Sequence, residues 1–594
     1  MARAKSTYAT VLSNQVTPQT QPIPGRESEM KRNNAGGVTF TITPFEQLER
    51  FLILGSDKPT YYASAQKLSK DNAENIRKCL ATDGRRTVDT IVEVSDSGRA
   101  PKNDPAIFAL AVAATPAYGS AETAQYALDR LGKVCRTGTH LLQFCEIIDG
   151  MRGWGRSLKN AVARWYTEKD ADQLAYQLVK YQQRGGESSK GLLRLSHPKV
   201  ADERQSAVMA WSVAGGLDAL ATQATSWTPF ASTKYTTSAD EIAQRRARYQ
   251  NAHNILSGDQ APKYIAGYEA AKKATSAKEV ARIIRETGIT HEMIPTQFKT
   301  DADVWEALLE KMPLTAMIRN LGVMSKVGLL APLSNASKVV TTRLNDQQYI
   351  RKSRVHPMTI LLAQGTYRQG HGRLGNSTWT VVPTVVDALE DAFYQAFSNV
   401  VPTGKNIYIA QDVSGSMSSE FTPGSGISCA QAGAAMAMVL ARTEKNYCVY
   451  GFASNGGYGG NAKMVDLGVT AKDTLSSACK KVQMNNFGGT DCALPMIHAE
   501  QQKMDVDAFI VITDNETWAG KIHPQKALTS YRAARNKPDA KEVVMGMTAS
   551  PFTIADPKDP RTLDVVGFDA NVPAIITDFI RGAGANSTSV EDDE

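Results

Sequence analysis

The sequence predicts a chain in two parts, an α-solenoid of irregular two-helix repeats followed by an α/β domain with a doubly wound parallel sheet. Three observations carry this. Apolar residues recur with helical spacing from Pro44 to about Val400, short β-rich runs alternate with amphipathic helices beyond residue 403, and 594 residues exceed what one ordinary core holds. Hydrophobic residues at 42% and charged residues at 21% match soluble globular chains, so neither a disordered chain nor a fibrous repeat fits. The longest apolar run, Ala106 to Thr115, is followed by Pro116 and is too short for a bilayer, so no membrane-spanning helix is expected.

Residues 1–32 are rich in Thr, Gln, Pro and Lys without periodicity and read as a flexible N-terminal tail. They carry no apolar core of a secretory signal, which points to the cytoplasm. Within 33–400, segments 44–54, 106–115, 120–132, 139–150, 171–184, 201–213, 302–312 and 384–399 show apolar residues at i, i+3, i+4 and i+7. Short connections between such segments make antiparallel helix pairs, although no fixed repeat period is present. Residues 401–581 form the second part, with Val401 to Lys405 as the boundary. Strands are predicted at 406–410, 447–453, 508–513 and 543–547, with helices around 429–444, 471–483, 491–503 and 524–536. Residues 582–594, Gly/Ala/Ser followed by Glu-Asp-Asp-Glu, read as an acidic flexible tail. Seven scattered cysteines without a C-x-x-C pair suit reduced, buried thiols.

Charge separates the two parts. Residues 401–594 hold 17 Lys and Arg against 22 Asp and Glu, a net −5, so the rest of this +7 chain carries +12. Such asymmetry hints at a polyanion-binding portion joined to a differently employed one, although solvated basic helices would look the same.

The first predicted strand of the second part runs into Asp412-Val-Ser414-Gly-Ser416, which puts a carboxylate and two hydroxyls at a strand's carboxyl end, where open α/β sheets bind ligands. Such hard oxygen donors suit Mg²⁺ or another small divalent ion. Gly488-Gly489-Thr490-Asp491 and Asp514, at the end of the 508–513 strand, supply two further loops that can meet the first. No second carboxylate pair, base or nucleophile for metal-assisted hydrolysis lies nearby, so binding rather than turnover is expected.

Lys180 and Arg184 lie four apart on the predicted 171–184 helix, opposite Leu174, Leu178 and Tyr181. Lys190, Arg194 and His197 make another stripe at i, i+4 and i+7. Cations stacked on adjacent helices can contact successive phosphates, and Arg adds a two-pronged contact, but spacing alone also allows an ordinary wet face. His197, just before Pro198, reads equally as a helix-end residue.

D-x-S-G-S, the later Gly-Gly-Thr-Asp and the strand-end Thr-Asp resemble the metal-ion-dependent adhesion site of von Willebrand factor A domains. That resemblance implies direct coordination by Ser414, Ser416 and Thr490, with Asp412 and Asp514 acting directly or through water, and an open position for a partner's carboxylate. A second resemblance spans residues 30 to 580. Asn33-Asn-Ala-Gly-Gly37, Arg136-Thr-Gly-Thr-His140, Arg152-Gly-Trp-Gly-Arg156, Lys180-Tyr-Gln-Gln-Arg184, Leu192-Leu-Arg-Leu-Ser-His-Pro198, Arg319-Asn-Leu-Gly322 and Thr513-Asp-Asn-Glu-Thr-Trp518 are similar, in order, to the signatures of the Ro ribonucleoprotein autoantigen family (TROVE domain plus A domain). The chain looks like a bacterial member.

Membership implies HEAT-like helical repeats closed into a monomeric ring by the A domain. The outer surface then binds Y-like noncoding RNA, and the central hole takes single-stranded 3′ ends of misfolded or structured RNA. A 3′-to-5′ exoribonuclease is the implied partner. Lys180, Arg184 and His197 match positions at which the family contacts RNA. Arg136, His140, Arg152, Arg156 and Arg319 stand in segments that can line such a passage, and Trp154 can stack on a base, with packing roles equally open for His140 and Trp154. A protein-interaction adaptor using the A-domain cation and a metal-dependent nuclease are the competing readings. The stretch Gln182 to Ser189 lacks the Trp-Ser pair expected there, so Y RNA preference can differ.

Overall fold

The computed structural model describes residues 17–582 apart from 57–63, 185, 230–236, 373–375, 398–399, 422–425, 455–461 and 484–487. The expected tails at 1–16 and 583–594 lie outside the described residues.

The helical part starts at Pro44–Leu54, where Thr43 and Glu46 form a reciprocal capping box and Pro44 takes the first helical position. Helices then follow one another to Pro383–Gln395. Their boundaries follow the predicted segments closely at 44–54, 138–152, 203–214 and 302–311. The end of this array meets its beginning. His356 Nε2 lies 3.3 Å from the Arg99 carbonyl, and Pro101 and Lys102 face Arg319, Gly322 and Leu362 across a cleft. Burial holds the His356 pKa down at about 4, so the imidazole is neutral and Nε2–H donates to Arg99 while Nδ1 accepts the Met358 amide at 3.1 Å. The helices therefore close into a ring.

Residues 17–32 are ordered, which corrects the expectation of a tail through residue 32. β1 (Met30–Arg32) pairs antiparallel with β2 (Val38–Thr41), and Ile23, Met30, Val38 and Phe40 make a small core of their own. Clustered Pro, Gln and Thr hid this segment, because its three- and four-residue strands are too short to show alternation.

The expected helix 171–184 stops at Lys180. Tyr181 leaves helical geometry, and a hairpin of β3 (Gln183–Arg184) and β4 (Glu187–Ser188) follows. The next helix is Ser189–Ser196.

The A-domain-like part is a six-stranded sheet built from β5 (Ile407–Asp412), β6 (Tyr447–Ser454), β7 (Ala462–Asp466), β8 (Ala508–Thr513) and β9 (Lys541–Gly546), with β10 (Phe552–Thr553) set apart and β11 (Thr562–Val566) at the far edge. Its order is β11-β9-β8-β5-β6-β7, parallel except for the edge strand β7. Alternation decides the faces: Ile407, Ile409, Ile510 and Ile512 join the core that includes helix Cys429–Thr443, whereas Tyr408, Ala410, Phe509 and Val511 meet Met496 and Leu528 of helices Leu494–Gln501 and Pro524–Ala534. β7 and β11 were not foreseen, because their partly exposed edge positions carry charged residues such as Asp466 and Asp564. All seven cysteines are free thiols, five of them buried.

Two seams join the parts at the N-terminal end. β10 pairs with β2, through Phe552↔Thr41 and Thr553↔Phe40. Arg50, 2% exposed on the first helix, donates to the carbonyls of Ser550 (3.2 Å) and Phe552 (3.0 Å) and pairs with Asp564. No helix among the described residues is long and apolar enough to cross a membrane.

Candidate metal centre and nucleic-acid interface

The register of the central strands builds the metal-like site. β5 lies parallel to β8 with Gln411 opposite Ile512, so both strands deliver their carboxyl ends to one place. There the Thr513 hydroxyl donates to Asp412 Oδ2 (2.7 Å), and the Ser414 amide donates to Asp412 Oδ1 (2.9 Å). Ser414 Oγ lies 3.0 Å from Ser416 Oγ and accepts from Thr490 Oγ1 at 2.9 Å. Asp514 Oδ1 accepts the Glu516 amide at 3.1 Å. The three loops meet, and all five predicted residues are at most 2% exposed.

Burial, followed by the charge of Asp514, pushes the Asp412 carboxyl up to about 7, and burial also raises Asp514 against the pull of the Ser416 hydroxyl and the Glu516 amide. Neither is shifted by a Lys or Arg. Among the described residues no group of three or more His, Cys, Asp and Glu is arranged for a metal. The donor set here is instead two acids and three hydroxyls, all hard oxygens without a neutralising side chain, and it fits a small divalent cation.

The predicted basic residues divide into two groups. Arg184 on β3, and Arg194 on helix Ser189–Ser196, are exposed and carry no carboxylate partner among the described residues; Lys190 shares that helix and is half-buried. Leu192 and Leu193 fill the core behind them, while Leu195 is 37% exposed. His197 caps the helix in left-handed geometry with φ 47°, its amide donating to the Leu193 carbonyl at 3.1 Å and its side chain exposed. Arg156 opens helix Arg156–Thr167 and is exposed, and Arg319 is exposed on the lining of the seam cleft.

The other group is engaged within the protein. Lys180 is not a solvent-facing cation: Nζ bonds the Tyr176 hydroxyl (2.9 Å), sits 3.5 Å from Glu292 and lies over the Tyr176 and Tyr181 rings. Burial opposes its charge, but Tyr176 and Glu292 outweigh that and leave its pKa above the ordinary lysine value. The Arg136 guanidinium donates to Ser95 Oγ (3.0 Å) and the Ser95 carbonyl (2.9 Å), and Arg152 donates to the Ala114 carbonyl (2.8 Å). Burial and then Arg136 hold the His140 pKa down at about 4, so it contributes no positive charge at neutral pH. Trp154 is half-buried against the core. The sequence carried no signal for Lys102, which lines the seam cleft of about 410 Å³ with Arg319 and an adjoining cavity of about 500 Å³ with Arg184, Phe51 and Phe108.

Comparison with known proteins agrees with this organisation. The TROVE domain family matches residues 31–371, and the Ro60 vWA domain family matches residues 406–580. The chain is 38% identical over 567 residues to the RNA-binding protein RO60 of Deinococcus radiodurans, covering 95% of this chain and 97% of the relative. It is 35% identical over 603 residues to the RNA-binding protein RO60 of Caenorhabditis elegans, covering 93% and 90%. The crystal structure of the D. radiodurans RO (RSR) protein superimposes with a TM-score of 0.63 over 91% of this chain and 100% of that one. A helical ring with an A domain joined at its seam, matched by both domain families across nearly its whole length, makes this chain a member of the Ro60 family.

Proposed function

We propose that this protein is the RNA-binding scaffold of a cytoplasmic ribonucleoprotein and is not itself an enzyme. The monomeric ring binds Y-like noncoding RNA on its outer surface and takes single-stranded 3′ ends of misfolded or structured RNA into its hole, in support of RNA quality control with a 3′-to-5′ exoribonuclease. A divalent cation, Mg²⁺ above all, sits between Asp412, Asp514 and the hydroxyls of Ser414, Ser416 and Thr490. The observation that carries the RNA reading is the stripe of Arg184, Lys190 and Arg194, cations that no carboxylate neutralises among the described residues. Unpaired cations gain most from phosphate, since binding releases the polyanion's counterions without breaking an internal ion pair. The relatives' description as RNA-binding proteins supports the same reading.

The test is fluorescence anisotropy with a labelled stem-loop RNA bearing an unpaired 3′ tail. Arg184→Ala with Arg194→Ala is expected to weaken binding at every salt concentration and to flatten the log–log salt slope by about two. Lys180→Ala, by contrast, should act mainly on stability. Affinity of the double variant equal to wild type at several salt concentrations would remove these arginines from the interface.

A further inference from the structure

The face of the A domain that presents the candidate cation site is occupied by the chain's own N-terminal segment. Gln19 is fully buried there. Its Nε2 donates to Asp491 Oδ1 (2.7 Å) and the Ile522 carbonyl (2.9 Å), and its Oε1 accepts from Thr517 Oγ1 (2.6 Å) and the Gly520 amide (3.2 Å). Asn33 Nδ2 donates to the Thr517 carbonyl at 2.7 Å. The Glu516 carboxylate accepts from Asn34 Nδ2 (2.7 Å) and the Ala35 amide (3.0 Å), and Asn34 Oδ1 accepts from Lys67 Nζ (2.6 Å) on a ring helix. Gly37 packs so tightly that a Cβ would stand 1.8 Å from the Thr517 carbonyl oxygen.

Two of the three ligand loops are thereby held by one strap. Asp514 reaches it through the Glu516 amide, which bonds Asp514 Oδ1, and the Glu516 carboxylate, which bonds Asn34 and Ala35. Thr490 reaches it through its carbonyl, which accepts the Trp518 and Ala519 amides, and through Thr517, which bonds Gln19. Farther along, Arg26 pairs with Asp556 and lies 4.5 Å over the Phe40 ring, and β2 adds to β10. The strap then runs directly into the first ring helix through Thr43.

We propose that residues 17–41 are a clasp that locks the ring onto the A domain, and that the cation site serves as its internal lock, not as a dock for an outside acidic partner. The clasp rests on contacts in the structure; the role of the cation rests on the metal reading given under the proposed function. Because the same loops shape the site and seat the clasp, cation binding tightens the clasp, and by linkage the seated clasp raises cation affinity by the same factor.

The experiment is hydrogen exchange of the full chain, read on peptides covering 17–41, with and without Mg²⁺ after chelator treatment, alongside calorimetric titration of Mg²⁺ alone. Chelation is expected to speed exchange in 17–41 by at least about fivefold, reversed by Mg²⁺. Gly37→Val should leave that segment fast-exchanging in both conditions and weaken Mg²⁺ binding by a matching factor, with Asn34→Ala, a milder change, showing the same pattern in smaller degree. Calorimetric Mg²⁺ binding together with cation-independent exchange of 17–41 would overturn the lock while leaving the metal reading intact. Absence of any Mg²⁺ binding would overturn the metal reading itself, and the lock with it.

Discussion

Arg50→Ala is expected to cost about 3 kcal/mol and to loosen the ring from the A domain. The side chain is 2% exposed, and its guanidinium satisfies the carbonyls of Ser550 and Phe552 besides pairing with Asp564. Truncation strands two carbonyls and leaves a carboxylate without its cation. The cost stays at the low end of that for a broken buried pair because Asp564 keeps 24% of its surface in water. Arg50→Lys retains the charge but not the fork, so it should recover only part of the loss. Urea denaturation followed separately by A-domain and helical signals checks this. An unchanged midpoint for Arg50→Ala would show that the seam is held elsewhere.

The second large effect concerns the buried acids. In chelator, Asp412 and Asp514 stand together at a buried sheet end without a Lys or Arg; burial raises both carboxyls, and the charge of Asp514 raises Asp412 further. Mg²⁺ at one hundred times its Kd should stabilise the wild type by about 2.7 kcal/mol. Asp412→Asn should abolish that gain, yet in chelator the variant should be no less stable than wild type, since a repulsive charge is gone, the amide oxygen can still accept from the Ser414 amide, and the Thr513 hydroxyl can turn to accept from the new NH2 group. Thermal unfolding with and without Mg²⁺ reads both signs. A variant destabilised equally in the two conditions would mean that Asp412 acts as a packing residue.

How far the sequence could be read follows from the range of the forces involved. The strands 407–412, 447–454 and 508–513 were legible because each contains a short apolar run rich in β-branched or aromatic residues, and the metal-like residues followed once those strands placed their carboxyl ends together. Arg184 and Lys180 were not separable by spacing. The helix ends at Lys180, ahead of the β3–β4 hairpin, and the engagement of Lys180 depends on Glu292, more than one hundred positions away. Arg136 and Arg152 looked free for the same reason: the carbonyls of Ser95 and Ala114 that they cap carry no mark in the sequence. The clasp was invisible because its anchors, Gln19, Asn33 and Asn34, are polar residues in a polar stretch whose partners lie at the opposite end of the chain.

RNA capture by the ring is the claim on which the rest depends. Its most direct measurement is binding of the purified chain to three RNAs at a series of salt concentrations: a stem-loop with an unpaired 3′ tail, the same stem-loop with a blunt end, and a fully paired duplex. Binding is expected to be steeply salt-dependent and saturable, tightest for the tailed stem-loop and weakest for the duplex. Equal, weak binding of all three, or none at physiological salt, would contradict it.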